Sequence, residues 1–468
     1  MSSKVPTSKV SRFLTDAIVQ GRIIPPGETF SERQLVNRYG FSRAQVRDIL
    51  LKLETRGGLL DPHGSKKGRV ATRLCHTQSK TFLALLEVVV NRRYFLGSEV
   101  SAQMRERTEQ IIQYLRSLVE KAQPIKHLLD SGGGLTRERV KELRKQKLSA
   151  FDAEQIEIKA QVDAVFDEFM RAYQLVYVSV LNECDCIVRR KFLESALISL
   201  RRFRYAAYDA GVLPVLELMT DLIESLESHL DGDQVSQHVY MDKVLDGIRE
   251  RCVRLYSQDT VIERKPYVEG KDEKAFAQLL ELYMSGIWSV GESIRESTLM
   301  TQFEISRFPM RNTLFRMDGY GFVTLLGRQG TVVNGSNGQA LDYEELLKIV
   351  VASQVGFTET ELVSKARELQ EAIHDVSGYY QGGEIGQDYV RKRIAQSVAS
   401  YFIVMIRQGR LKLFSDSVLL VWADGIRVAL EGATTASKVF EVLGATEKMF
   451  KGLAEVSPRN MLALYKLV

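Results

Sequence analysis

A single pattern of residues occurs twice in this chain, and the two copies are related by a constant difference in numbering. The first copy runs from Leu35 to Leu50 as LVNRYGFSRAQVRDIL, and the second runs from Leu299 to Leu314 as LMTQFEISRFPMRNTL. The differences 299 − 35, 306 − 42 and 314 − 50 all equal 264. An internal repeat constrains the architecture more than any single residue does, because each copy must be able to form the same local fold.

Each copy predicts two short helices that are separated by a tight turn. In the first copy, Ser31–Gln34 and Ser42–Gln45 both fit a capping box, in which a hydroxyl group and a glutamine satisfy free backbone N–H groups. Helices are therefore predicted to begin near residues 32 and 43, with the turn at Gly40–Phe41. We expect the second copy to share this capping.

The second helix of each copy is predicted to have one buried face and one solvent-facing side. Apolar residues with i, i+4, i+7 spacing form the buried stripe. They are Val46, Leu50 and Leu53 in the first copy and Met310, Leu314 and Met317 in the second. The opposite side carries two arginines in each copy, Arg43 with Arg47 and Arg307 with Arg311.

A small β-hairpin is predicted after the second helix of each copy. In the first copy, Leu59–Leu60 and Arg69–Thr72 flank a basic turn at 63–68. In the second copy, Val323–Leu326 and Thr331–Val333 flank a turn that is two residues shorter. A short helix, a turn, a helix with exposed arginines near its start and a hairpin together have the geometry that places side chains in a DNA major groove.

These features resemble the GntR family of bacterial transcription regulators, specifically its FadR-like branch. The family pattern has a helix ending in Ile-x-x-Gly, then Pro-Gly-Glu, then an acidic-x-x-Leu helix. A Ser-Arg-x-x-Val-Arg recognition helix, a Gly-Leu strand and a wing with a glycine at its tip complete it. The first copy matches with one extra residue before Gly27, and the second has Val290 in place of the proline and Met310 in place of the valine.

The resemblance implies a sequence-specific DNA-binding transcription regulator, expected to be a repressor, that reads DNA through one or both winged helices. In the first copy the implied DNA contacts are Arg33, Ser42, Arg43, Gln45, Arg47, His63, Gly64, Lys66 and Lys67. In the second copy they are Ser306, Arg307, Arg311 and Arg328. Arginines near the helix start suit bidentate guanine contacts, and the lysines at the wing tip are expected to contact phosphates.

The distribution of charge predicts that the first copy binds DNA more strongly. Residues 1–74 contain fourteen Lys or Arg and six Asp or Glu, a balance of 14 − 6 = +8, which leaves 5 − 8 = −3 for the rest of the chain. Residues 275–335 contain five basic and five acidic residues, a balance of zero. Basic side chains that neutralise phosphates supply most nonspecific DNA affinity. Replacement of Arg43 is therefore predicted to weaken DNA binding more than replacement of Arg307.

Length and periodicity predict a mainly α chain with two winged helix-turn-helix domains, each followed by a helical bundle. The predicted domains are a winged helix at 1–74, a bundle at 75–257, a linker at 258–274, a second winged helix at 275–335 and a shorter bundle at 336–468. In the FadR-like branch such bundles serve dimerisation and the binding of a small-molecule effector. The tandem arrangement predicts either a monomeric pseudo-dimer that reads two unlike half-sites or a homodimer.

The effector site of the FadR-like branch often contains a metal held by one aspartate and three histidines, and this chain departs from that pattern. Asp163 matches the aspartate, but Asp167, Leu222 and Val244 stand where the histidines would be. Imidazole is the commonest ligand of such sites. The sequence therefore predicts no metal, and we expect no other cofactor.

Membrane proteins and enzymes are disfavoured by the sequence. No apolar run approaches the roughly 20 residues that a membrane span needs, and the four cysteines lack the spacing of a zinc site. No nucleophile elbow, phosphate-binding loop or metalloprotease helix is found, so no enzyme is predicted. We expect a cytoplasmic protein whose partner is double-stranded DNA. The alternative is an architectural or protein-interaction protein whose winged helices act without direct promoter control.

Overall fold

The computed structural model describes the chain at residues 6–55, 59–61, 68–71, 102–135, 137–143, 145, 149–182, 187–211, 213–232, 271–326, 330–336, 360–407, 415–455 and 457. These residues are mainly helical, with two small three-stranded sheets. No helix among them is both long enough and apolar enough to cross a membrane. Several residues that the sequence singles out lie outside the described residues, namely His63, Gly64, Lys66, Lys67, Val244 and Arg328.

The first part of the chain forms a unit of three helices and three short strands, which we call unit 1. Its elements are α1 (Thr7–Val19), β1 (Thr29–Phe30), α2 (Glu32–Tyr39), α3 (Arg43–Thr55), β2 (Leu60–Asp61) and β3 (Arg69–Ala71). The strands pair antiparallel in the order β1-β3-β2. Val46, Leu50 and Leu53 are buried, so the apolar stripe of α3 faces the core of the unit.

A first helical bundle follows unit 1. Its elements are α4 (Ala102–Ala122), a short 3-10 turn (Gln123–Ile125), α5 (Lys126–Asp130), α6 (Arg137–Leu143), α7 (Ala150–Asn182), α8 (Ile187–Asp209) and α9 (Val215–Leu230). Helix α4 packs against α7 and α9, and α8 packs against α1 of unit 1. The bundle therefore contacts unit 1 directly.

A second unit with the same order of elements follows, which we call unit 2. Its elements are α10 (Lys271–Met284), β4 (Ser293–Ile294), α11 (Glu296–Phe303), α12 (Arg307–Tyr320), β5 (Val323–Leu325) and β6 (Thr331–Val333). The strand order β4-β6-β5 is the counterpart of that in unit 1. Helix α10 begins at Lys271, inside the segment predicted as a linker.

A second bundle completes the described chain. It consists of α13 (Thr360–Gln381), α14 (Gln387–Arg407), α15 (Ser415–Gly432) and α16 (Ala436–Ala454). Helix α13 packs against α14 and α16, while α10 of unit 2 packs against α14 and α15. Each unit is therefore attached to a bundle through its first helix.

The two units differ in the capping of their helices. Ser31 forms the complete capping box that was predicted for α2, and the Ser42 hydroxyl accepts a hydrogen bond from the backbone N–H of Gln45 (3.3 Å). Ser306 precedes α12 but makes no such bond. The third residue of α12 is Pro309, which has no N–H to donate. The expectation that the second copy shares this capping is therefore wrong.

Strands β1 and β4 were not predicted, and equivalent glycines lead into them. Gly27 and Gly291 both have a φ of 83°, which favours glycine. The backbone N–H of Gly27 donates to the carbonyl of Ala71 (2.7 Å), and that of Gly291 donates to the carbonyl of Val333 (2.9 Å). Gly27 precedes Glu28, and Gly291 precedes Glu292. Each glycine thus marks the point where the first strand of its unit joins the hairpin.

Among the described residues, helices from the two halves of the chain pack against each other. Helix α3 packs against α12, and α8 packs against α15. Gly321, which ends α12, lies between the halves, because a Cβ at this position would be 3.2 Å from Lys191 Cβ on α8 and 3.0 Å from Leu420 Cδ2 on α15. Units 1 and 2 are therefore neighbours in space.

Candidate nucleic-acid interface

Arg43 and Arg307 occupy equivalent positions in the first turn of α3 and α12, since 307 − 43 = 264. Their side chains are 75% and 76% exposed. Arg43 Nε lies 3.8 Å from Glu32 Oε2, and Arg307 Nε lies 3.4 Å from Glu296 Oε1. Each unit therefore presents an exposed guanidinium group at a helix start, within ion-pair distance of a carboxylate on the preceding helix. An arginine so placed can donate two hydrogen bonds to one guanine.

Glu32 and Glu296 were not among the predicted site residues. Glu32 also lies 3.4 Å from Arg47 Nε and 2.8 Å from Arg69 Nη1, and its side chain is only 16% exposed. It is therefore the carboxylate around which three arginines of unit 1 are arranged. Both glutamates occupy the first position of the acidic-x-x-Leu pattern, and this position could have identified them from the sequence.

The other predicted contacts differ in their accessibility. Arg33 and Ser306 are exposed. Ser42 is half-buried and is engaged in capping α3. Gln45 is also half-buried, and its side-chain amide donates a hydrogen bond to Thr7 Oγ1 (3.1 Å). Arg33 and Ser306 are thus accessible to a ligand, whereas Ser42 and Gln45 form hydrogen bonds with other residues of unit 1.

The predicted solvent-facing side of the second helix is partly covered by the contact between α3 and α12. Arg311 Nη2 lies 3.5 Å from Asp48 Oδ2, and the guanidinium carbon of Arg47 lies 5.8 Å from the ring centre of Phe308. Arg311 is still 51% exposed and Arg47 is 36% exposed, so the predicted solvent-facing side is covered only in part. Spacing along one helix identifies a polar side, but it does not indicate that a helix 264 residues away contacts that side.

The contact between α3 and α12 has approximate two-fold symmetry. Lys52 forms an ion pair with Asp318, and their equivalents are Arg316 and Glu54, since 316 − 52 and 318 − 54 both equal 264. Burial raises the pKa of Glu54, while Arg69 and Arg316 act in the opposite direction. Glu54 forms its ion pair with Arg69, and Arg316 forms its ion pair with Glu273. Equivalent positions of the two helices therefore carry the same sign of charge, as in a two-fold interface, but only Lys52 and Asp318 form an ion pair between the helices.

Helices α3 and α12 run in the same direction. Their contacts join positions whose numbers rise together along both helices. The pairs are Arg47 with Phe308, Asp48 with Arg311, and Lys52 with Asp318. The N-terminal ends of α3 and α12, which carry Arg43 and Arg307, therefore lie at the same end of the helix pair.

Charge reversal at this interface provides a test of its geometry. Lys52→Glu is expected to lower the free energy of unfolding by about 1 kcal/mol, because it replaces an ion pair with Asp318 by repulsion. Combining it with Asp318→Lys should restore most of the loss, with a coupling energy of about 1 kcal/mol in a double-mutant cycle. Denaturant unfolding measures both quantities. Strictly additive effects would contradict the packing of α3 on α12.

Lys365→Glu is the matched control, because Lys365 forms its ion pair within α13. It should change the free energy of unfolding by only a few tenths of a kcal/mol.

An ionic contact joins unit 1 to the first bundle. Arg22, between α1 and β1, pairs with Asp167 on α7. Asp167 also accepts a hydrogen bond from the hydroxyl of Tyr205 on α8 (3.1 Å). Burial raises the pKa of Tyr205, and the charge of Asp167 adds to this effect, so the hydroxyl remains a donor. The bundle therefore contacts unit 1 through this network. A movement of α7 or α8 would disturb it.

The residues around Asp163 do not fit the metal site of the FadR-like branch. Asp163 accepts hydrogen bonds from Lys159 Nζ (2.7 Å) and from the hydroxyl of Tyr208 (2.8 Å). Asp167, one turn later, faces Arg22. Both carboxylates thus have a cationic side chain as a partner, and the neighbouring donors supply no imidazole.

A second buried network joins unit 2 to the second bundle. Asp424 on α15 is fully buried and pairs with Arg427 (2.7 Å). It also accepts hydrogen bonds from the hydroxyls of Tyr283 (3.0 Å) and Ser336 (2.6 Å), which belong to α10 and to the segment after β6. Both units are therefore attached to a bundle through a buried or half-buried aspartate.

Comparison with known proteins identifies unit 2. Residues 271–333 match the family described as bacterial regulatory proteins, gntR family, and these residues run from the start of α10 to the end of β6. No curated protein sequence matches the chain. Among solved structures, E. coli McbR/YncC is similar over 42% of this chain and 95% of its own, with 15% sequence identity and a TM-score of 0.32. A GntR family domain is therefore present in the second half of the chain, which points to a DNA-binding regulator rather than an enzyme.

Proposed function

We propose that the chain is a bacterial, sequence-specific transcription regulator that binds double-stranded DNA with the winged helices of units 1 and 2 and acts as a cytoplasmic repressor. The family match of unit 2 supports DNA binding and transcription regulation in general. The observation that carries the finer proposal is the equivalent placement of Arg43 and Arg307. Both are exposed at a helix start, and both lie within ion-pair distance of a glutamate on the preceding helix.

In this proposal one chain acts as a pseudo-dimer with two readers. Recognition helices of two-fold dimers usually enter major grooves about one helical turn apart. Helices that pack directly lie roughly 8–10 Å apart, which is much less than one helical turn of DNA, so the half-sites contacted by the N-terminal ends of α3 and α12 should lie close together. The half-sites differ, because Ala44 and Gln45 of unit 1 correspond to Phe308 and Pro309 of unit 2. Unit 2 tolerates its lack of net positive charge because its binding is intramolecular.

The stoichiometry of the DNA complex tests the pseudo-dimer. A preferred site is first selected from randomised duplex DNA with the full chain, and the masses of the free protein and of its complex are then measured. We expect one chain per site, an asymmetric sequence and a footprint without two half-sites separated by a full turn. A symmetric site that binds two chains through two copies of unit 1 would refute the pseudo-dimer and support a homodimer.

A second candidate function is an architectural or protein-interaction role. It is favoured by the contact between α3 and α12, in which part of each recognition helix already binds protein. The ratio of the dissociation constants for random and selected DNA separates the two functions. A regulator is expected to prefer its selected site by about a thousandfold or more at physiological salt. A preference below about tenfold would favour the architectural role.

The proposal includes a small-molecule effector that binds in the first bundle. The contact of Arg22 with Asp167 and Tyr205 supports this part, because these residues link α7 and α8 to the segment that precedes the reading helices. An effector that shifted α7 relative to α8 would move unit 1.

A further inference from the structure

Arg204 on α8 is a fully buried arginine. Its side chain is 1% exposed, and its guanidinium carbon lies 3.3 Å from the ring centre of Tyr173 on α7. Within the part of the chain that the structure describes, Arg204 Nε and Nη1 are buried and have no hydrogen-bond partner. The aromatic ring is therefore the contact that this charge makes there.

Arg427 shows how this protein satisfies a buried arginine. It is equally buried, at 1% exposure. Its guanidinium donates to Asp424, to Glu431 and to the carbonyl of Ser336. An arginine cannot lose its proton in a protein, and an isolated buried charge is unfavourable unless an opposite charge or hydrogen bonds compensate it. Contact with an aromatic ring offsets only a small part of that cost.

We infer that Arg204 anchors a binding site in the first bundle for a small oxyanion, either a carboxylate or a phosphate. The guanidinium group has a planar arrangement of donors that matches two oxygens of such an anion. Tyr173 covers one face of this plane, so the ring orients the group while the N–H donors at its edge remain for the ligand. The bound anion supplies the opposite charge and the hydrogen-bond acceptors that Arg204 lacks.

The site deepens the effector part of the proposed function and rests on it for its role. Arg201, one turn before Arg204, pairs with Asp16 of α1 (2.8 Å). Tyr205, the next residue, donates to Asp167, which holds Arg22. The anion would therefore bind at α8, the helix through which the bundle contacts unit 1.

Thermal unfolding of the full chain tests the site without DNA, so its outcome is independent of the proposed function. The probes are sodium phosphate, sodium acetate and sodium succinate, with sodium chloride at equal ionic strength as the control. At about a hundredfold excess over its Kd, a bound oxyanion should raise the Tm by about 5 °C. Arg204→Lys keeps the charge but loses the planar donors, so it should need about tenfold more anion. Arg204→Met should show no oxyanion-dependent rise.

Arg427→Met is the matched control for the charge itself. It removes a buried arginine whose partners are present and should lower the Tm in anion-free buffer, because those partners lose their counter-charge. Arg204→Met should leave the Tm of the anion-free protein unchanged or raise it. The inference is overturned if Arg204→Met lowers the Tm as Arg427→Met does. It is also overturned if none of the three oxyanions produces a rise that depends on Arg204.

Discussion

Replacement of Asp424 by alanine is expected to lower the free energy of unfolding by about 3–5 kcal/mol. Asp424 is fully buried and pairs with Arg427, which is 1% exposed. Removal of the carboxylate leaves the guanidinium with Glu431, which is 41% exposed, as its remaining acidic partner. The hydroxyls of Tyr283 and Ser336 lose their acceptor in the same change. The contact between unit 2 and the second bundle should therefore weaken.

Denaturant unfolding of the full chain measures this loss. Asp388→Ala is the matched control, because Asp388 is 99% exposed and lies 3.6 Å from Arg391, and it should change stability by no more than about 0.5 kcal/mol. Asp424→Asn preserves the shape of the side chain and should fall between the two. Equal effects of Asp424→Ala and Asp388→Ala would contradict the role given to the buried network.

Arg43→Ala is expected to weaken binding to the selected DNA site by about 10- to 100-fold, equivalent to roughly 1–3 kcal/mol. Arg307→Ala should weaken it by less than about tenfold. The two arginines have the same local geometry, at 75% and 76% exposure with an equivalent glutamate beside each. The difference is therefore expected to come from the surrounding charge, which is +8 over residues 1–74 and zero over residues 275–335.

Fluorescence anisotropy with the selected duplex measures both affinities, at two salt concentrations. Because both side chains are exposed, neither change should alter the Tm, and this is the control for folding. A loss for Arg307→Ala that equals or exceeds the loss for Arg43→Ala would reverse the ranking of the two readers. If neither change affected affinity, the proposed role of the helix starts would be wrong.

Glu32→Gln separates the orienting role of this glutamate from its charge. Glu32 lies near Arg43, Arg47 and Arg69, so it both positions the guanidinium groups and competes with phosphate for them. These two effects oppose each other in the affinity for DNA of any sequence. Both effects lower specificity, that is, the ratio of the dissociation constants for random and selected DNA. An arginine that is not held in place discriminates less well between bases, and an arginine freed from Glu32 binds phosphate of any sequence more strongly.

Local features of the fold could be predicted from the sequence because they depend on residues that are close together in the chain. The start of α2 and its capping box follow from Ser31 and Gln34, and the buried stripe of α3 follows from the spacing of Val46, Leu50 and Leu53. The missing cap of α12 could also have been predicted, since Pro309 has no N–H. The offset of 264 was sufficient to identify equivalent arginines.

The sequence by itself thus determined the two repeated units, the buried faces of their helices and the arginines at their helix starts. Only the tertiary structure decided that α3 lies against α12, that Arg22 reaches Asp167, and that Arg204 is buried beside Tyr173. Helical periodicity records which side of a helix is polar, because it reflects burial within one element. It does not record which distant residue meets that side, because ion pairs and aromatic contacts form between surfaces that the whole fold brings together.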